Sequence, residues 1–533
     1  MTPTFELSDV AWSTTHLQGL HVRSRGRVSN SLDQLDLHDS TAVVEAVRNH
    51  GGALIVSTDE TITIYQDLIR SFPVLFTTSM PTIIGDAPHS IARHRPLSIS
   101  AASAREFEGM GFVSGEDTLY EGLKQTVQGT TTTIDIITGT HTVDDWGRWT
   151  FDSDRISDPD ELGAVFDKAL DEAMKRLVRE SVGSTILIPL SGGLDSRLLI
   201  SWLVAHDVKN VVSFTYGVAG SRESEISRQI ATAAQYPWEF VQYDSKKLLE
   251  RWHAPQTEEF LRYSYGGVAL PHIQDWYALE ELLTRGIAQE GDIVVPGHTI
   301  VGNMHDEDAL GEAPLSLGRI AQLIAGHHYD IQGTRLTPEN DPKYLAKLRE
   351  FISSGGYDGS ATSVQDALES YNVRERQAKY INNSMRAYEY YGLRWSLPMI
   401  DAPVWDAWRK ASSELSLTRD WYRDYVTARF EAALGDRARI APYFQPIAVE
   451  DHRRDQIKKL LAATGLLTLA NRAFATYSSL HDGTALDLYV TNRSRMATGA
   501  DLMRGRKLMG FWTSSFLADE WSRGARVMDL AEF

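Results

Sequence analysis

The sequence contains no cysteine, and this absence removes several kinds of chemistry at once. A chain without cysteine forms no disulfide, no thiolate metal site and no cysteine nucleophile. Long apolar runs are missing too, because no stretch approaches the roughly 20 residues of a membrane span. The first residues, MTPTFELSDVAW, lack the basic and apolar regions of an export signal. We therefore expect a cytoplasmic protein with no membrane span.

Positive charge is also scarce relative to negative charge. The 53 Lys and Arg residues are outnumbered by 71 Asp and Glu residues, for a net charge of -18. Because binding to a phosphate backbone depends on basic side chains, this balance argues against a nucleic-acid partner. Hydrophobic residues make up 42% of the 533 residues, which is typical of a packed globular protein. A chain of this length exceeds one ordinary core, so we expect two large domains.

The sequence changes character near residue 153. Residues 1–152 are rich in Thr, Ser, Val and Ile, and GGALIVSTDETITIYQDL at 51–68 alternates like a pair of strands. A polar segment then ends in Asp158-Pro159-Asp160, which is a strong helix-start signal. We place the second domain at residues 160–533 and expect it to open with a long amphipathic helix, because apolar residues recur at helical spacing from Leu162 to Leu177.

Strands and helices alternate after this helix. We predict strands at 185–188, 210–216 and 238–241, with helices at 197–206 and 223–235. This order implies a parallel sheet with right-handed crossovers, and ligands of such sheets bind beyond the carboxyl ends of the strands. From about residue 315 onward the chain is predicted to be mostly helical.

A glycine-rich loop, SGGLDS at 191–196, joins the first of these strands to its helix. The loop gathers backbone N–H groups and two hydroxyls at a helix N-terminus, where they can bind an anion. Asp195 beside bound phosphates implies an intervening cation, for which Mg²⁺ is the natural choice. The loop lacks the GK[ST] ending of a Walker A motif, so transfer of a terminal phosphate is not indicated. A simple turn with Asp195 as helix cap is the alternative.

The loop and its neighbours resemble a known family. SGGLDS resembles the signature of ATP pyrophosphatase loops, and the surrounding sequence is similar to asparagine synthetase (class B asparagine synthase) proteins. SFTYG at 213–217 resembles the strand end that holds adenosine, and RESEISRQIA at 222–231 resembles the helix that follows it. GLRWSLPMID at 392–401 resembles the family segment GLEVRVPFLD.

This resemblance implies an α/β protein whose C-terminal domain is a parallel-sheet ATP pyrophosphatase (adenine nucleotide alpha hydrolase-like) domain with helical additions. It also implies that ATP activates a carboxylate as an acyl-adenylate with release of pyrophosphate, after which ammonia or an amine attacks. Asp195 would then ligate Mg²⁺. The residues implied in ATP binding are Leu190, Ser191, Gly192, Gly193, Leu194, Asp195, Ser196, Thr215, Tyr216, Gly217 and Gly297.

The N-terminal half resembles the same family less closely. TIYQDLIRSFPVLF at 63–76 resembles the RDxxGxxPLYY strand pair of the glutaminase domain, and GFVSGEDTLYEG at 111–122 resembles its closing segment. The likeness implies a degenerate Ntn-hydrolase-like (class II glutaminase) αββα domain. Family members attack glutamine with a cysteine after the initiator Met, whereas this chain has Thr2. We therefore expect no glutaminase activity, with Thr2 as a terminal hydroxyl nucleophile being the alternative.

The second metal motif of the family, SGxGxDE, is altered here. The matching stretch at 294–307 is VVPGHTIVGNMHDE, in which the Asp-Glu pair at the strand end is lost. His298 is a candidate base or orienting donor, although a structural loop histidine is the alternative. Asp306 and Asp308 are candidate replacement ligands, or solvated loop carboxylates.

Two further side chains, Glu389 and Arg423, are candidates for the chemistry. A helix is predicted over 376–392, and Asn382, Arg386 and Glu389 form one polar face of it. Glu389 is the candidate for a carboxylate that transfers a proton. A face exposed to solvent would explain the same pattern equally well. Arg423 takes the place of a family lysine that steadies the adenylate. Lys458 and Lys459 are predicted to be exposed helix charges.

The sequences of residues 294–307 and 376–392 are similar to those of asparagine synthase-like proteins of surface-polysaccharide pathways. The first hypothesis is therefore an amide ligase acting on a small-molecule or glycan carboxylate such as a uronic acid. A ring-closing enzyme like the β-lactam synthetases and lasso-peptide cyclases is the second, and a non-catalytic nucleotide-binding protein is the third. The nitrogen would come from free ammonia, another protein or the substrate itself. The sequence is compatible with a homodimer but does not define the oligomeric state.

Overall fold

The computed structural model describes residues 3–8, 11–302, 306–442, 484–488 and 493–518, together with residues 473 and 476. Its N-terminal part contains two β-sheets. One has the strand order β1-β7-β6-β8 and the other is antiparallel in the order β10-β9-β5-β4-β3-β2. The strands are β1 (Thr4–Glu6), β2 (Ser13–Leu17), β3 (Leu20–Arg25), β4 (Ala53–Ser57), β5 (Thr61–Gln66), β6 (Leu75–Thr77), β7 (Ile83–Gly85), β8 (Leu123–Gln125), β9 (Thr130–Asp135) and β10 (His141–Asp145).

The two sheets share an apolar core. Ile55 and Ile64 of one sheet pack with Phe76 and Ile84 of the other. The opposite face of the six-stranded sheet is covered by α1 (Ser40–His50) and a 3-10 helix (Arg27–Gln34). The helices α2 (Pro88–Ala92) and α3 (Ala101–Met110) follow β7. The strand pair predicted at 51–68 is confirmed, because β4 and β5 form an antiparallel hairpin in which Ala53 pairs with Gln66.

The long helix predicted after the polar segment is confirmed as α4 (Pro159–Glu180). Asp158 is its N-cap and accepts hydrogen bonds from the amides of Asp160 and Glu161. The cap satisfies N–H groups that have no partner within the helix, which is why the helix begins at this position.

The predicted parallel sheet is confirmed in the middle of the chain. Its strands are β11 (Ile186–Pro189), β12 (Val211–Gly217), β13 (Trp238–Gln242), β14 (Ile293–Val294) and β15 (Arg394–Trp395), in the order β13-β12-β11-β14-β15. Every pair is parallel. The helices α5 (Leu194–Ala205) and α6 (Arg222–Ala234) connect the first three strands. Short apolar runs such as Ile186–Ile188 are fully buried, as expected for strands covered on both faces.

Helices make up most of the remaining described residues, as predicted. They are α7 (Ser245–Trp252), α8 (Pro255–Ser264), α9 (Trp276–Thr284), α10 (Glu307–Gly311), α11 (Leu317–His328), α12 (Pro342–Ser354), α13 (Ala361–Tyr371), α14 (Met385–Tyr390), α15 (Ala402–Arg409), α16 (Ser413–Ser416), α17 (Asp420–Leu434), α18 (Arg495–Met503) and α19 (Leu508–Ala518). Short 3-10 turns lie at Gly333–Arg335, Pro338–Asn340, Asn382–Ser384, Pro398–Ile400, Gly435–Ile440 and Ala485–Asp487.

The single helix predicted over 376–392 is wrong. The chain forms a π-helix at Asn372–Ile381, a 3-10 turn at Asn382–Ser384 and then α14. Each change of helix type alters the rotation per residue, so the predicted face is divided between the 3-10 turn, which carries Asn382, and α14, which carries Arg386 and Glu389.

That polar face is also not solvated, because it contacts the N-terminal part of the chain. The Asn382 amide donates to the Ile69 carbonyl at 2.9 Å, and Arg386 donates to the Ser71 carbonyl at 2.8 Å. These contacts join the helical region to the loop between β5 and β6. The alternative that this face is exposed to solvent is therefore wrong. The side chains of Asn382 and Arg386 instead donate to backbone carbonyls that would otherwise be buried without partners.

Candidate functional site

The glycine-rich loop leaves β11 at the carboxyl edge of the parallel sheet. The Leu190 amide donates to the Phe214 carbonyl at 2.8 Å, and the Thr215 hydroxyl donates to the Leu190 carbonyl at 2.7 Å. These bonds hold the start of the loop against β12. The predicted ATP-binding residues 190–196 and 215–217 are thus brought together at one edge, where ligands of parallel sheets bind.

Helix α5 begins directly after the glycines. Its N-cap is Gly193, which provides no side-chain cap, whereas Asp158 caps α4 and Ser221 caps α6. The first-turn N–H groups of α5 therefore remain available to a bound anion. Asp195 lies inside the first turn and is not the N-cap, so the alternative of a simple turn capped by Asp195 is wrong.

The two loop hydroxyls lie close to each other. Ser191 Oγ and Ser196 Oγ are 3.2 Å apart, and the Gly193 amide donates to Ser191 Oγ at 3.2 Å. The hydroxyls fix the shape of the loop around the amides of the helix N-terminus.

Gly297 touches the loop from the neighbouring strand end. A Cβ atom at this position would lie 3.1 Å from both Asp195 Cβ and the Ser196 amide nitrogen. This spacing is tighter than ordinary van der Waals contact, so an added side chain would force the loop to shift. The structure therefore places Gly297 against the loop, while the binding role of Gly297 stays a prediction.

Asp195 forms an ion pair with Arg419. A guanidinium nitrogen of Arg419 lies 2.9 Å from Asp195 Oδ1. Burial raises the pKa of Asp195, while Arg419 opposes that rise. Arg419 Nε has no hydrogen-bond partner among the described residues and remains available to an anion. The pair thus places a carboxylate and a guanidinium together at the N-terminus of α5.

Arg423, the predicted replacement for the family lysine, lies elsewhere. Its guanidinium pairs with Asp420 and Asp424, which are exposed residues of its own helix. Arg419 is one helical turn earlier and contacts the loop instead. The two arginines differ by one turn in a polar stretch, so sequence spacing alone could not distinguish them.

The residues present fit the binding of a magnesium-bound nucleotide. Mg²⁺ usually takes only one or two protein carboxylates and completes its coordination with phosphate oxygens and water. Asp195 supplies one carboxylate. Within the described ranges, no group of three or more His, Asp or Glu side chains could hold a metal ion without such additional ligands. Phosphate oxygens would therefore have to supply part of the coordination.

Aromatic rings line the end of β12. Tyr216 stacks on Tyr243 with ring centroids 5.1 Å apart and planes inclined by 17°. Burial raises the pKa of both phenols well above the usual value, so both are neutral at neutral pH. The predicted adenosine side of the site is therefore flat and uncharged.

His298 lies in a buried polar cluster beside the loop. The pKa of His298 is lowered to about 4, chiefly by burial and also by the neighbouring His272, while Asp275 and Asn382 act in the opposite direction. His272 Nδ1 and Asp275 Oδ1 are 3.8 Å apart. His272 and Asp275 were not predicted as site residues, although they lie three residues apart in the segment PHIQDW.

Glu389 lies away from the loop. It borders a cavity of about 450 Å³ between the N-terminal part and β15, together with Arg25 and Trp395. Its carboxylate accepts from Arg25, Arg386 and the Trp395 indole, each at 2.9 Å. The Tyr263 hydroxyl donates to the same carboxylate at 3.3 Å, so these contacts hold Glu389 in place between the two parts of the chain.

The remaining candidates are not at the loop either. Asp306 caps α10 through the Ala309 amide and pairs with His327, and Asp308 is exposed on α10. Neither is placed as a replacement metal ligand. Thr2, Lys458 and Lys459 lie outside the described residues.

A parallel sheet whose first strand enters a helix through an uncapped glycine-rich loop defines a nucleotide-binding class of α/β protein. The family model for asparagine synthase matches residues 165–261, which include this loop, β12 and β13. Over this segment the chain is similar to the asparagine synthase family, which suggests an ATP-dependent amide-forming ligase. A comparison with curated proteins found no match. None of the described helices has the length and apolar character required to cross a membrane.

Proposed function

We propose that this protein is an AMP-forming carbon-nitrogen ligase that adenylates a carboxylate for attack by ammonia or an amine. The observation that carries the proposal is the uncapped N-terminus of α5 beside the Asp195–Arg419 pair. Amides, a carboxylate and a guanidinium at one point suit a magnesium-bound triphosphate better than they suit a neutral ligand.

Each part of the loop has a role in the proposed reaction. The amides of α5 would hold phosphate oxygens, and Arg419 would contact the α-phosphate or the leaving pyrophosphate in two-point fashion. Asp195 would hold Mg²⁺, which when bound neutralises phosphate charge and so favours departure of pyrophosphate. Gly297 lets the β14 end approach the loop closely enough to keep this geometry.

The nitrogen is proposed to come from free ammonia, an amine substrate or another protein. The sequence holds no cysteine, so a cysteine-dependent glutaminase reaction is not part of the proposal. We propose that the acid is a sugar acid of a surface-polysaccharide precursor. Support for that choice is the likeness of 294–307 and 376–392 to proteins of such pathways.

The test is release of AMP and pyrophosphate from ATP over a panel of carboxylic acids that includes uronic acids, with ammonium present and with Mg²⁺ present or chelated. We expect one acid class to give AMP and pyrophosphate in equal amounts only when Mg²⁺ is present. Asp195→Ala should abolish the reaction, while Asp424→Ala, which removes an exposed carboxylate of α17, should not. ATP binding without AMP formation from any acid would contradict the ligase assignment and favour a nucleotide-binding protein.

A further inference from the structure

We infer that His272, Asp275, His298 and Asn382 form the binding site for the nitrogen nucleophile, which binds there as an ammonium group. This inference rests on the proposed function, because it assigns the second substrate of the same reaction. We call these four residues the acceptor cluster.

The acceptor cluster contains polar atoms with no partner. Asp275 Oδ1, Asn382 Oδ1, His272 Nδ1 and His298 Nδ1 are all buried and make no hydrogen bond within the described residues. Asp275 is 4% exposed and Asn382 is 7% exposed. Buried polar atoms are normally paired, so unpaired atoms gathered near one point indicate a missing ligand.

Three separate elements build the acceptor cluster. His272 and Asp275 lie just before α9, His298 follows the end of β14, and Asn382 follows the π-helix. Gly297, directly before His298, packs on Asp195 and the Ser196 amide. The cluster is therefore adjacent to the point at which the proposed adenylate would form. Insertions of π-helix are frequent at functional sites.

The chemistry of these atoms selects a cation with N–H donors. A carboxylate oxygen only accepts hydrogen bonds, and Asn382 uses its NH₂ group on the Ile69 carbonyl, which leaves its oxygen as an acceptor. Since burial lowers the pKa of His298 to about 4, its imidazole is neutral at neutral pH and offers a ring nitrogen that can accept a hydrogen bond. A carboxylate oxygen and an amide oxygen without partners favour a ligand with N–H donors, and an ammonium group supplies such donors.

The side chains around Asp275 do not supply the positive charge that an ammonium group would bring. Tyr216, Tyr243 and Tyr388 face it, and burial together with Asp275 raises the pKa of each phenol well above the usual value. Tyr391 also feels Asp275, and its pKa is raised chiefly by burial. All four phenols are neutral at neutral pH and therefore place no charge beside Asp275.

The reaction releases two protons from the nitrogen. The ammonium nitrogen gives one proton to water, and the resulting amine attacks the acyl carbon of the adenylate. The C–N bond forms, the bond from that carbon to the AMP oxygen breaks, and AMP leaves with the electron pair. The second proton lost by the nitrogen also passes to water.

The experiment measures thermal unfolding of the full chain in ammonium chloride, methylammonium chloride, potassium chloride and tetramethylammonium chloride at constant ionic strength. Potassium and tetramethylammonium carry the same charge but donate no N–H bond. We expect concentration-dependent stabilisation by ammonium, or by methylammonium if the nucleophile is a primary amine, and none from the other two. Equal stabilisation by all four salts would overturn the inference.

Three variants and one control complete the test. Asp275→Asn, His272→Gln and His298→Gln should each raise the ammonium concentration for half-maximal stabilisation roughly tenfold, because a charge-assisted hydrogen bond is lost. His328→Gln is the control, since His328 is a buried histidine of α11 outside the acceptor cluster. An unchanged ammonium response in those of the three variants that fold would contradict the inference. A failed AMP assay with an intact ammonium response would instead contradict the proposed function alone.

Discussion

The guanidinium of Arg25 lies 2.9 Å from the Glu389 carboxylate, although the two residues are 364 positions apart. Arg25 ends β3 in the N-terminal part, and Glu389 belongs to α14 in the helical part. Both side chains are largely buried, at 14% and 12% exposure. This pair, together with the bonds of Asn382 and Arg386 to the N-terminal part, ties the first sheets to the region that carries the loop.

Glu389→Ala should therefore act on stability and not directly on the chemistry. Removal of one partner leaves Arg25 and Arg386 buried without their carboxylate, so we expect the free energy of unfolding to fall by about 3–5 kcal/mol. Urea denaturation measures this change, with Glu431→Ala on the exposed face of α17 as control. Loss of AMP formation at unchanged stability would show instead that Glu389 handles a proton.

Arg419→Ala and Arg423→Ala form a matched pair one turn apart. Because Arg419 contacts Asp195 and Arg423 pairs only with Asp420 and Asp424, we expect AMP formation to fall roughly a hundredfold for Arg419→Ala and to change little for Arg423→Ala. Steady-state rates of pyrophosphate release measure the difference. A larger loss of AMP formation in Arg423→Ala than in Arg419→Ala would instead identify Arg423 as the phosphate-binding residue.

Gly297→Ala should disturb the loop without unfolding the protein. The added Cβ would lie 3.1 Å from Asp195 Cβ and the Ser196 nitrogen, so the loop must shift. A displacement of this kind can cost roughly a hundredfold in rate. Calorimetric ATP binding and AMP formation measure the effect, and Gly326→Ala in α11, where an added Cβ meets nothing within 4 Å, is the control. Normal ATP binding by Gly297→Ala would contradict the close approach described here.

Buried histidines should make the fold sensitive to mild acid. Burial lowers the pKa of His298 to about 4 and that of His328 to about 3, from an ordinary value of 6.5. At pH values between the native pKa of each histidine and its ordinary pKa, the unfolded chain binds more protons than the native chain. The free energy of unfolding should therefore decrease as the pH falls below about 6.5, by at most about 1.4 kcal/mol per pH unit for each histidine.

Comparison of the parent chain with His328→Gln isolates this effect. Buried carboxylates contribute equally to both pH profiles, so the difference between the profiles belongs to His328. We expect the stability of His328→Gln to decline less steeply on acidification. Parallel profiles, measured by urea denaturation between about pH 7 and pH 5, would show that His328 is not held neutral by the fold.

Local patterns in the sequence were sufficient for much of the scaffold. The strands around Ile186–Pro189 and Val211–Gly217, the cap at Asp158 and the loop at 191–196 were all predicted, because periodicity, capping and loop chemistry involve residues that are near one another in the chain. The assignment of 1–152 as a degenerate glutaminase domain and the binding roles of individual loop residues stay predictions.

Contacts between distant segments were decided only by the tertiary structure. The sequence alone determined that a glycine-rich loop follows a buried strand and that cysteine chemistry is absent. It could not show that Arg419 rather than Arg423 meets Asp195, that Glu389 pairs with Arg25, or that Asp275 lies near His298. The physical reason is that each of these pairs depends on how α17, α14 and α9 pack against the sheets, and packing of that kind leaves no short-range pattern in the chain.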